Sequence, residues 1–238
     1  MSGFVIREDY IEIDPGTSRT ETMWKGYQFG RPDLYSTYFN DFHDYVAGDW
    51  TVTETDGAAT EALATVAPCT GGVLLVTNTN ADNDAVFMQK VGHGFVPTAG
   101  KRIYYETRFQ ASEATQIDLV HGLIVTDTDP VTSFTDGIAF RKDDGDTNLD
   151  FLTGASSAYS TDAGIFTFAA DTYVKLGFKV TGTGLVEYWI NDVKKGSFAT
   201  NIPTAPLRVT MAIQDGDTAA ALGALTQSID YIFVAQER

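Results

Sequence analysis

The 238-residue chain is strongly acidic, with a formal net charge of −16 at pH 7. A surface of this sign repels phosphate backbones, so we expect no nucleic-acid partner bound through a basic face. Hydrophobic residues make up 43% of the chain and aromatic residues 12%, which is enough for a core and excludes global disorder. The single cysteine, Cys69, excludes an intramolecular disulfide, and we expect an inert thiol.

The N-terminal sequence MSGFVIREDYIEIDPG does not have the basic and then apolar order of a signal peptide. No uncharged apolar stretch approaches the ~18–20 residues that a membrane span requires. We therefore expect a soluble protein that is made in the cytoplasm and has no membrane partner.

Residues 1–38 show little periodicity and carry aromatic residues scattered among charges. One interpretation is an irregular segment that packs on its own domain. The other is an arm that lies on a neighbouring subunit, because exposed aromatic residues often mark contact surfaces. The second interpretation predicts an intersubunit contact made by Tyr10, Trp24, Tyr27, Phe29 and Tyr35.

Residues 39–238 alternate apolar and polar positions along many short segments. In residues 101–110, Ile103, Tyr105, Thr107 and Phe109 share one face, which is typical of a strand with one buried side. Glycine, asparagine and aspartate punctuate these segments. The pattern predicts an all-β, two-sheet antiparallel sandwich with little helix. The predicted strands are 49–53, 72–78, 85–90, 101–110, 117–126, 137–141, 148–152, 172–180, 185–191, 193–198, 207–214 and 225–235.

The sequence shows no spacing typical of a metal site. His43, His93 and His121 lie far apart and form no zinc-binding pattern. The aspartates near residue 145 do not follow the calcium-binding loop pattern, and they predict a solvated hairpin, with a structural calcium as the alternative. The aspartates in question are Asp143, Asp144, Asp146 and Asp150, and the same applies to Asp127 and Asp129. No metal or cofactor is predicted.

Several segments resemble the concanavalin A-like jelly-roll superfamily, most closely the branch found in tailed-phage virion proteins. They are FNDFHDYVAGDWTV, GKRIYYETRFQAS, HGLIVTDTDP, DGIAFRKDDGDTNLDF, DTYVKLGFKVTGTGLVEYWINDVKKGSF and ALTQSIDYIFVAQER. The resemblance runs from about Tyr38 to Arg238 and implies a jelly-roll β-sandwich preceded by the irregular arm. It also implies a capsid decoration (cement) protein on the virion surface, with the major capsid protein as partner and a homotrimer as the assembly.

Glucanases of this superfamily carry two carboxylates as ExDxxE on one strand. The only formal alignment here runs from Gln116 to His121 and retains Asp118 alone. Because glycoside hydrolysis needs two carboxylates, this alignment predicts that the chain is not an enzyme.

The alternative function is that of a carbohydrate-binding, lectin-like module. Its candidate platform is Trp189. On the predicted strand, Trp189 shares a face with Glu187, and the apolar Val186, Tyr188 and Ile190 lie on the other face. Trp50 is predicted to lie in the core. Glycan is therefore a second candidate partner.

Overall fold

The structure, a computed structural model, describes residues 23–28, 31–55, 59–64, 71–79, 81–92, 94–216 and 223–238, together with the backbone of two further strands. Within that part of the chain there are seventeen strands and one short 3-10 helix, Ala47–Asp49. None of the described helical residues forms a segment long and apolar enough to cross a membrane. The strands are β1 Phe4–Arg7, β2 Tyr10–Ile13, β3 Tyr35–Asn40, β4 Trp50–Glu54, β5 Thr60–Leu63, β6 Leu74–Thr77, β7 Ala85–Lys90, β8 Arg102–Ala111, β9 Ile117–Ile124, β10 Gly137–Lys142, β11 Asn148–Ala155, β12 Ala158–Thr167, β13 Val174–Thr181, β14 Leu185–Ile190, β15 Val193–Phe198, β16 Arg208–Asp215 and β17 Thr226–Glu237.

Two antiparallel sheets stack face to face, which confirms the predicted sandwich. The seven-stranded sheet has the order β12-β11-β10-β9-β16-β7-β4. The eight-stranded sheet has the order β15-β14-β13-β8-β17-β6-β5, with β3 also pairing with β17. The strands β1 and β2 form a separate hairpin.

The core lies between the two sheets and follows the alternation read from the sequence. On β8, Ile103, Tyr105 and Phe109 point into this layer, whereas Tyr104 points to the outer face of the sheet. Trp50 also lies in the core, as predicted. Burial of the apolar side chains in this layer supplies most of the driving force for folding.

Strand β12 was not predicted, because its side chains are polar or partly exposed and it forms one edge of its sheet. The turn that precedes β12 is formed by Ser156 and Ser157, which both adopt the left-handed backbone conformation. Serine does not typically indicate that conformation, so the sequence did not predict the turn.

The N-terminal part also contributes a strand to the sandwich. β3 pairs with β17 through the register Tyr35↔Glu237 to Asn40↔Ile232. The predicted boundary between residues 38 and 39 therefore falls inside a strand.

Candidate functional site

A small pocket lies on the outer face of the eight-stranded sheet, with Trp189 among its walls. Its free volume is about 10 Å³, roughly what one water molecule needs. The residues that line it combine an indole, a thioether, two carboxylates and an ammonium group: Met23, Glu106, Lys175, Gly177, Trp189 and Asp192.

Three neighbouring strands position the floor of this pocket. Glu106 on β8 pairs with Gly177 on β13, and Gly177 pairs with Trp189 on β14. Paired residues on neighbouring antiparallel strands point to the same face, so the three positions form one row across the sheet.

The tight turn between β14 and β15 delivers the second carboxylate. Asn191 and Asp192 both adopt the left-handed backbone conformation, with φ of 49° and 65°. Two successive residues of this kind are typical of a two-residue hairpin turn. The turn places the Asp192 carboxylate 2.6 Å from the Lys175 ammonium.

Glu106 is the half-buried carboxylate of the pocket, whereas Asp192 is exposed. It accepts hydrogen bonds from the Tyr231 hydroxyl, at 2.7 Å, and from the Trp24 side chain. Burial raises the pKa of the Glu106 carboxyl, and the nearby Asp192 carboxylate adds to the rise. The group therefore holds a proton more strongly than an exposed glutamate does.

Charged side chains surround the Trp189 ring. The ammonium groups of Lys179 and Lys194 lie 5.5 and 6.0 Å from its centroid. The Glu187 carboxylate forms ion pairs with both lysines, with its oxygens 2.7 Å from Lys179 Nζ and 2.8 Å from Lys194 Nζ. Trp189 is 3% exposed, so a ligand can stack on it only where a covering side chain moves aside. Its role as a ligand platform stays a prediction.

The aromatic residues assigned to an intersubunit contact pack, where they are described, on the same subunit. Trp24 stacks on Tyr104 with 5.9 Å between ring centroids, and Tyr27 meets Tyr35 at 4.8 Å. The side chain of Tyr10 and all of Phe29 lie outside the described residues. A contact of this segment with a second subunit stays a prediction.

A second group of charged residues lies on the seven-stranded sheet. Asp118 on β9 accepts a hydrogen bond from the Asp144 backbone N–H at 2.8 Å, and Arg141 contacts Asp143 at 2.8 Å. Burial is the main cause that raises the pKa of Asp118 to about 6, and the Asp144 and Asp143 carboxylates add to it. Burial likewise raises the pKa of Asp143, with a contribution from Asp150.

This group was missed because its members come from different strands. The alignment from Gln116 to His121 includes residues of a single strand, β9. Its last position, His121, points into the core and away from Asp118. The pairing of Lys142 with Leu119 instead brings Asp143, at the end of β10, opposite Asp118. The sequence feature that could have indicated this group is the high density of aspartates in residues 143–146.

The histidines and the turn aspartates do not converge on a metal site. His43 is exposed and lies 3.1 Å from Asp41, whereas His121 is buried. His93 and Cys69 fall outside the described residues. Among the residues that are described, no group of three or more His, Cys, Asp and Glu could hold a metal ion.

Most of the turn aspartates that suggested calcium have partners within the protein. The carboxylates of Asp127, Asp129 and Asp146 accept hydrogen bonds from backbone N–H groups two or three residues later. Asp150 accepts one from Gly164. The first three are the local turn contacts that aspartate favours, whereas the Asp150 contact joins β11 to β12.

The chain matches no protein-family profile and no curated protein sequence. Its fold is similar to that of solved structures. A β-glucanase from Bacillus licheniformis is 14% identical with a TM-score of 0.60, over 84% of this chain and 97% of that chain. An endo-1,3-β-glucanase from Streptomyces sioyaensis is 12% identical with a TM-score of 0.61, over 86% and 97%. The carbohydrate recognition domain of Emp47p is 10% identical with a TM-score of 0.57, over 85% and 96%.

These similarities correct the prediction that the chain is not an enzyme, because the fold is that of two β-glucanases. The absence of the ExDxxE carboxylates from one strand does not exclude an enzyme, because the fold brings a second carboxylate, Asp143, towards Asp118 from a neighbouring strand. None of the three similar proteins is a virion protein. At these identities the likeness establishes the fold alone, which is a two-sheet jelly-roll sandwich of the concanavalin A-like type.

Proposed function

We propose that this protein binds carbohydrate, and that the pocket beside Trp189 is the binding site. The observation that carries the proposal is the composition of this pocket, in which an indole lies in one row with a half-buried carboxylate. An aromatic ring offers a flat apolar surface to a pyranose, and carboxylates and ammonium groups bond its hydroxyls. Fold neighbours that include a carbohydrate recognition domain support the same proposal.

The test is binding to a glycan panel that includes β-1,3 and mixed-linkage β-glucan oligosaccharides. Calorimetry on the best ligand then compares the native protein with Trp189→Ala and Asp192→Asn. Asn tolerates the left-handed backbone that Asp192 adopts, so this variant removes a charge and keeps the turn. We expect each variant to weaken binding at least tenfold, about 1.4 kcal/mol.

Asp171→Asn is the matched control, because Asp171 is also an exposed aspartate with a left-handed backbone, φ 52°. It lies outside the pocket lining and should leave the affinity unchanged. Absence of binding across the whole panel would contradict the proposal, and so would equal losses in Asp192→Asn and Asp171→Asn.

Reducing-end release from each bound glycan tests for hydrolysis in the same samples. Turnover that disappears in Asp118→Asn would assign the reaction to the carboxylates of the seven-stranded sheet. Turnover that disappears only in Asp192→Asn would assign it to the Trp189 pocket.

A virion role, with the major capsid protein as partner, a homotrimer as the assembly and the capsid surface as the location, remains a separate proposal that rests on sequence resemblance. Sedimentation equilibrium of the purified chain tests the trimer. A monomer at micromolar concentration would contradict it.

A further inference from the structure

We propose that the side chain of Met23 closes the Trp189 pocket in the free protein and is displaced when a sugar binds. This inference rests on the proposed function of the pocket, which it deepens by assigning an internal competitor for the site. The sugar and the thioether would occupy the same space on the sheet.

Gly177 shows where the thioether lies. A Cβ atom on Gly177 would lie 2.6 Å from the Met23 sulfur and 3.1 Å from its terminal methyl carbon. The Met23 side chain therefore occupies the space above the middle of the Glu106–Gly177–Trp189 row. It is 4% exposed, which means that it is packed into this place rather than lying over it loosely.

The remaining free volume supports a closed state. The pocket has room for about one water molecule, whereas a pyranose ring carries eleven or so heavy atoms and needs far more space. A sugar that stacks on Trp189 must therefore displace something. Met23 is the flexible, uncharged member of the lining, whereas Glu106, Lys175 and Asp192 have hydrogen-bond or ion-pair partners.

The backbone beside Met23 need not move for this displacement. Trp24 stacks on Tyr104, and the Tyr104 hydroxyl donates to the Lys25 carbonyl oxygen at 3.4 Å. The Arg102 guanidinium donates to the Gly26 carbonyl oxygen at 3.3 Å. These contacts fix the following residues on the sheet, so the pocket opens by rotation about the side-chain bonds of Met23. Methionine has three such bonds and adapts its shape at low cost.

A closed majority state lowers the apparent affinity in proportion to the open fraction. If the open state makes up on the order of a tenth of the molecules, removing the cover strengthens binding by about tenfold. Met23→Ala removes the atoms that fill the pocket. Met23→Leu keeps a side chain of similar volume and is the matched control.

Two readouts on the full chain separate this inference from the proposed function. Acrylamide quenching of Trp189, isolated by subtracting the Trp189→Phe signal in the same background, reports the cover without any ligand. Calorimetry with a mixed-linkage β-glucan hexasaccharide reports competition. We expect quenching to rise at least twofold and the dissociation constant to fall about tenfold in Met23→Ala, with neither change in Met23→Leu.

Unchanged quenching of Trp189 in Met23→Ala would overturn the inference, whether or not the sugar binds. Hexasaccharide binding of equal strength in all three proteins would also overturn it and leave the proposed function standing. Increased quenching with no binding by any variant would support Met23 as the cover and count against the carbohydrate function.

Discussion

The imidazole of His121 stacks on the ring of Phe109 in the layer between the sheets, with 3.8 Å between ring centroids and 15° between ring planes. Burial lowers the pKa of His121 to about 3. The unfolded chain has an ordinary histidine, with a pKa near 6.5, so it binds more protons than the folded protein between these values. The stability that this residue contributes is therefore complete above about pH 6.5 and is lost as pH falls towards 3.

His121→Phe should remove this part of the acid sensitivity and keep the aromatic stacking. The variant leaves Gln227 without the His121 ring nitrogen that lies 2.7 Å from its amide nitrogen. We expect a loss of about 1–2 kcal/mol at pH 7, and recovery of most of it in His121→Phe/Gln227→Leu. Urea unfolding at pH 4, 5 and 7 measures both effects. A native-like pH slope in the double variant would contradict the assignment.

Asp118 should act in the opposite direction. Its folded pKa of about 6 lies above the ordinary aspartate value, so the folded protein binds more protons than the unfolded chain between about pH 4 and 6. This residue therefore lowers stability as pH rises through that window. Asp118→Asn should raise the free energy of unfolding at pH 7 by up to about 2 kcal/mol and leave it nearly unchanged at pH 3.5. Asp127→Asn, at a partly exposed turn position, is the control. Equal effects at both pH values would contradict the prediction.

Lys142 is fully buried, and its ammonium donates to three backbone carbonyl oxygens. The acceptors are Thr115 at 3.2 Å, Ile117 at 2.8 Å and Asp143 at 2.9 Å. Lys142→Met leaves these oxygens without their donor, and we expect a loss of about 3 kcal/mol in urea unfolding. Lys195→Met, at an exposed position, should change stability by less than about 0.5 kcal/mol. Similar losses in the two variants would contradict the account.

Gly122 lies at the centre of the seven-stranded sheet, where β9 runs between β10 and β16. A Cβ there would overlap the Ile138 carbonyl oxygen and lie 2.7 Å from the Ala139 Cα, both backbone atoms of the neighbouring strand. Gly122→Ala should cost about 2–4 kcal/mol in thermal or urea unfolding. Gly184→Ala is the control, because a Cβ there meets nothing within 4 Å. A loss below 1 kcal/mol in Gly122→Ala would mean that the strands separate easily there.

The fold was predictable because strands such as β8 and β13 alternate apolar and polar positions. β7, inside its sheet, and β15, at a sheet edge, have the bounds that the pattern predicts. The edge strands β5 and β12 were not predicted, because their apolar residues show no clear alternation. That Trp189 shares one face of β14 with Glu187 also followed from alternation, whereas its surroundings (solvent, the second sheet or a partner) were left open. The cover of Trp189 did not follow from alternation, because Met23 is more than 150 positions away and nothing in the residues nearby specifies that contact.

The most direct test of the account is nuclear magnetic resonance of the indole N–H groups during titration with a mixed-linkage β-glucan oligosaccharide. The chain has three tryptophans, and Trp50 in the core serves as the internal reference. The account predicts a saturable shift of the Trp189 signal with Trp50 unchanged. Binding heat without a Trp189 shift, or shifts confined to the backbone around Asp118, would contradict it.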